Sequence, residues 1–178
     1  MMERDCFTAQ QLEVVNEAAQ MAEELVSNHY KMSASQWLHR RYDIRTLADL
    51  TPAEIVSGPF AQIVRYEGIQ RDQSLGSAVY DLYKICLQDH AIRKTLQENS
   101  HLQLLPFMLY IITHELIHIV RFSSFQQYFN APAEERVSEE KRVHAKTHEI
   151  LEPVRVQGLA DVLEFYSEWR IPYDEYGD

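Results

Sequence analysis

Cysteine is scarce in this chain, with only Cys6 and Cys86 present. Two thiols so far apart give no disulfide framework, and a reducing compartment, the cytoplasm, is expected. Glycine and proline are scarce too, at five and six of 178 residues, which excludes long flexible linkers. Basic charge is in deficit: 17 Lys and Arg against 27 Asp and Glu leave a formal net charge of -10. A surface of that sign repels phosphate backbones and anionic membranes, so neither nucleic acid nor membrane is an expected partner. The run Met1-Met2-Glu3-Arg4-Asp5 lacks the basic start and unbroken apolar stretch of a signal peptide. There is no internal repeat and no low-complexity segment. Nothing in the residues speaks to oligomeric state.

What is present is an ordinary globular balance, 46% hydrophobic and 25% charged, enough for one domain over 1-178 with a single core. The acidic end, 171-178, is polar and turn-like and is expected to fray. Thr8 and Gln11 form a capping-box pattern. After them Leu12, Val15, Ala18, Ala19, Ala22, Leu25 and Val26 recur at helical spacing, predicting a helix over roughly residues 9 to 29. Ser33 to Arg41 reads as a short helix, and Thr51-Pro52-Ala53-Glu54 as another helix start. Phe60 to Ile69 and Ala78 to Leu87 are rich in β-branched and aromatic residues around a polar linker, which predicts a β-hairpin.

From His101 to Phe122 apolar residues cover every side of a helix, so it should be buried all round. It is long enough to span a membrane, but Thr113, His114, Glu115 and His118 fall mid-segment and would be expensive in lipid. A central core helix follows. After Asn130-Ala131-Pro132 comes a charged helix over about Ala133 to Leu151, then Pro153, then a last helix from Leu159 to about Trp169. The expected fold is α+β and mostly helical.

The chemistry concentrates in His114-Glu115-Leu116-Ile117-His118. Residues four apart on a helix are rotated by about 40° and displaced by about 6 Å, so His114 and His118 can aim two imidazole nitrogens at one ion. Glu115 lies about 60° from His118 around the helix, placed to serve a water and not the ion. The plainer alternative is three satisfied polar groups in a core helix, but ionisable groups so close together in an apolar segment are costly without compensation. Two imidazoles leave a metal short of the three protein ligands usual at a catalytic site, and the charged helix offers acidic candidates. With Glu140 at 0° on a helical wheel, Ala133, Val137, His144, Thr147 and Leu151 fall within about 60°, making Glu140 the centre of the expected buried stripe. Glu139 and Lys141 point about 100° to either side, and Glu134, Glu135 and Glu149 have looser claims. His144 is open to three readings: a residue that orients a ligand by a hydrogen bond, a fourth ligand, or a core histidine.

The segment Ile111 to Val120 resembles the zincin metallopeptidase pattern, with uncharged residues between the histidines and hydrophobic ones flanking them. Metzincins carry Gly and His where this chain has Arg121 and Ser124. The resemblance is to a minimal gluzincin-like domain over 78-151, counting a β-edge before the metal helix where such enzymes bind substrate as an added strand. Many members have an acid where His144 stands, a departure. The resemblance implies zinc held by His114, His118 and Glu140, Glu115 as general base, and a peptide or protein substrate. His148, Tyr166 and Tyr173 are candidates for stabilising an oxyanion. Two other classes compete: a non-catalytic metal-binding protein on the same scaffold, and a helical di-iron carboxylate protein. The second would use Glu115 and His118 as a Glu-x-x-His unit, and needs another such unit and two more buried glutamates.

Overall fold

In the computed structural model, which describes residues 5–33, 36, 42–69, 79–124 and 128–169, the apolar segment forms one helix with other described elements packed against it. The elements in chain order are α1 (Ala9–Tyr30), β1 (Tyr42–Arg45), β2 (Ala61–Ile69), β3 (Val79–Leu87), α2 (Asp89–Glu98), α3 (Leu104–Ser123), α4 (Ala133–Leu151) and α5 (Leu159–Phe165). Short 3-10 turns at Leu47–Asp49, Pro52–Glu54 and Ser167–Trp169 complete them. The architecture is α+β.

α3 starts with Pro106 in its first turn, where a missing N–H is no loss because helix starts leave those groups unbonded anyway. From Pro106 to Val120 every residue except Glu115 is buried. The helix is long and apolar enough to cross a membrane, yet 78% of its apolar window is buried inside the molecule. α1 covers one side with Val15, Ala18, Ala22 and Val26, the small alanines letting the helix axes approach. α4, α5 and β2 cover the others. Each fully buried side chain such as Leu116 or Ile117 contributes roughly 1.5–3 kcal/mol before entropy is counted.

The hairpin is present: β2 runs antiparallel to β3, Ala61 opposite Leu87 and Ile69 opposite Val79. The sheet has the order β1-β3-β2, because β1 pairs parallel with β3, from Tyr42 opposite Tyr83 to Arg45 opposite Cys86. Tyr83, Ile85 and Leu87 enter the core. On the other face Lys84 meets the buried carboxylate of Glu54 at 2.8 Å, and Tyr66 donates to the same carboxylate at 2.8 Å. Thr51-Pro52-Ala53-Glu54 thus gives one 3-10 turn pinned to the sheet, and Gly58, at φ 103°, and Pro59 follow instead of a helix. The helix expected over Ser33 to Arg41 and the acidic tail lie outside the described residues, apart from Ser33 and Gln36.

Gly158 governs how α5 returns to the core. Its φ is 83°, and a Cβ there would meet the Gln103 side chain at 3.1 Å and Pro106 at 3.3 Å. Only glycine turns this tightly against the start of α3. The turn carries Tyr166 and Trp169 back beside the middle of α3.

Candidate metal site and cleft

His114 and His118 project from one side of α3, and Glu140 reaches them from α4. His118 Nε2 lies 2.8 Å from Glu140 Oε1, His114 Nε2 lies 3.1 Å from Glu140 Oε2, and the two Nε2 atoms are 3.2 Å apart. One ligand atom from each residue falls within 4.8 Å of the others, so the group could hold a metal ion. Donors at about 2.1 Å from a tetrahedral ion stand about 3.4 Å apart. The observed spacings are slightly shorter, and the donor set of two imidazoles and a carboxylate suits such an ion.

Both imidazoles are buried, whereas the Glu140 side chain keeps 51% of its exposure. Desolvation pushes the Glu140 carboxyl upward, but the hydrogen bonds and charges of His114 and His118 outweigh it and hold the group well below the usual carboxylate range. Glu115 shows the reverse. Burial raises its carboxyl, opposed by His114 and His118 and reinforced by Glu140. It is the one break in the buried run of α3, and it opens onto a cleft of about 1080 Å³ shared with the histidines and Glu140.

His144 stands one turn beyond Glu140. Its Nδ1 is 2.7 Å from the Tyr110 hydroxyl, and its Nε2 is 3.7 Å from Glu140 Oε2, outside the three-residue group. Tyr110 stacks on Tyr166 with ring centroids 3.9 Å apart. His114 Nδ1 and Thr113 Oγ1 are buried with no hydrogen-bond partner among the described residues. Opposite this wall the cleft is bounded by Gly58 to Ile63. Ala61 to Ile63 begin β2, an edge of the described sheet, whereas the strand within 78-151 expected to be the edge is β3, which pairs on both sides with β1 and β2 and offers none.

The structure therefore brings together His114, Glu115, His118, Glu140 and His144, with Tyr166 beside them. His148 does not join them; it faces Glu152. Tyr173 lies outside the described residues. The expected stripe on α4 is corrected: Glu139 is buried, while Ala133 and Val137 are exposed. The buried arc is turned toward Glu139 by about 30°, because Arg121 from α3 meets that carboxylate and because the first turns of α4 flank the open cleft. A second Glu-x-x-His does occur at Glu98 to His101, but both residues are exposed at the end of α2 and cannot complete a buried dinuclear site with Glu115. Residues missed from sequence are Tyr110, Arg136, Trp169 and the stretch Gly58 to Ile63. Tyr110 was within reach, since it precedes His114 by the same four-residue step that joins the histidines. Set against protein families, curated proteins and solved structures, the chain matches none.

Proposed function

We propose that this chain is a metal-dependent hydrolase of the zincin peptidase type, acting on amide bonds, with zinc as the ion. The observation that carries the reading is the convergence of His114, His118 and Glu140 in a cleft that also holds Glu115. When bound, the ion supplies Lewis acidity toward a carbonyl oxygen and toward water. His114, His118 and Glu140 hold it. Glu115 takes a proton from the attacking water as oxygen bonds to the carbonyl carbon, and passes it to the departing nitrogen as the C–N bond breaks. The edge position of β2 in the described sheet, along the cleft, supports an extended peptide as substrate.

Elemental analysis of protein purified without chelator or a histidine tag is expected to find one divalent ion per chain. Glu115→Gln should keep the ion and lose hydrolysis, and Glu140→Ala should lose the ion. Native protein without metal, or equal metal in His118→Ala, overturns the reading. Metal lost with Glu115 and kept without Glu140 reverses the roles assigned here.

A further inference from the structure

Arg136 lines the cleft from α4, one turn before Glu140. That spacing normally favours a helical ion pair. Here the Glu140 carboxylate is turned to His114 and His118, and Arg136 has no ion-pair partner among the described residues. Nearby cations are committed elsewhere: Arg121 and Arg142 to Glu139, and Arg65 over the Phe129 ring at 5.0 Å. No other described Lys or Arg lines the cleft. On a chain of net charge -10, an anionic group entering the cleft meets in Arg136 a guanidinium that no described carboxylate pairs with. Beside it the lining is aromatic, with Phe60, Phe122, Phe129, Tyr166 and Trp169, and Trp169 keeps 51% exposure.

We propose that Arg136 binds the terminal carboxylate of a peptide whose last side chain, bulky and apolar, rests on the aromatic lining. This rests on the peptidase reading and narrows its substrates to the C-terminal ends of apolar peptides. A guanidinium fork matches a carboxylate and not a neutral amide. One helical turn from Glu140 is about 6 Å, while successive residues of an extended peptide advance by about 3.3–3.6 Å. A carboxylate one or two residues beyond the reacting carbonyl therefore falls within the arginine's range.

The probes are N-acetyl-Gly-Phe with a free carboxylate, its C-terminal amide, and N-acetyl-Phe-Glu-amide, which carries its charge on a side chain. Each is titrated calorimetrically into the full chain, as purified and after chelator treatment. The free acid should bind about tenfold more tightly than its amide in both preparations. Arg136→Gln should erase that difference without changing metal content, and Arg136→Lys should retain part of it. Equal binding of acid and amide, no binding of any probe, or tighter binding of the side-chain acid overturns the proposal. A metal-free native protein defeats the peptidase reading alone, because the acid preference is also read after chelation.

Discussion

Glu139 and Glu140 are neighbours on α4, and the helix sends one to Arg121 and Arg142 and the other to His114 and His118. About 100° of rotation separates their side chains. His144 shares the Glu140 side of the helix, and its ring is fixed by the 2.7 Å contact with Tyr110. Held this way, its Nε2 stays 3.7 Å from Glu140 Oε2, and under the proposed function it would leave the ion an open position. In cobalt-substituted protein, His144→Ala should keep the metal and shift the ligand-field spectrum little. Loss of metal with a large spectral change means a closed four-ligand site, for which hydrolysis should be abandoned. Tyr110→Phe, which preserves the ring stack, should lower stability by about 1–2 kcal/mol in urea unfolding. The His114–Glu115–His118 arrangement was legible in sequence because spacing along one helix fixes it. Glu140 was legible as a candidate only through the gluzincin resemblance joined to helical periodicity, and the periodicity misplaced it, since its side chain is 51% exposed and not the centre of a buried stripe. Arg136 and Trp169 were not, since their roles depend on how two later helices turn back toward α3.

At the scale of elements, the long helices and the hairpin were readable where a strong period ran between clear breaks. α1, α4 and the β2–β3 pair appear with nearly the expected limits. β1 and α2 were not foreseen. β1 has four residues, and α2 buries only Asp89 and Ile92, so neither carries a long apolar pattern. Asp89 accepts from the backbone N–H groups of Phe7 and Leu47 at 2.8 and 3.0 Å, a long-range junction invisible to periodicity. The packing of α4 on α3 depends on a similar junction. Glu139 and Arg121 have side chains only 6% and 16% exposed, whereas Arg142 is 60% exposed. Removing Glu139 takes from a largely buried cation the carboxylate it meets, and Glu139→Ala should cost about 2–4 kcal/mol in urea unfolding. Arg142→Ala should cost about 0–1 kcal/mol, because solvent already screens its charge. Equal effects from the two substitutions would show that the pair does not hold α4 in place.

For the whole molecule, the two sides of the sheet respond differently to acid. The side toward α3 is apolar, while the other is held by Glu54, which Lys84, the Thr51 backbone and Tyr66 together keep ionised down to a pKa of about 2 against an ordinary 4.5. A carboxyl lowered by folding adds stability that is fully present above its unfolded value and disappears as pH falls through the folded one. The Glu54 contribution should therefore be intact at neutral pH and fade from about pH 4.5 to about pH 2. General charging of the chain in acid also destabilises it, but that effect is shared by a variant differing at one position. Comparing the wild type with Glu54→Gln isolates the local part. In chemical unfolding followed by circular dichroism, the wild type should be the more stable at pH 7, with the gap closing steadily below pH 4.5. A gap that stays constant down to pH 2 means that Glu54 is not held ionised by the sheet, and that the 3-10 turn at Pro52–Glu54 is fixed instead by the Gln62 and Gln88 side-chain amides, which donate to the Glu54 carbonyl at 3.1 and 3.0 Å.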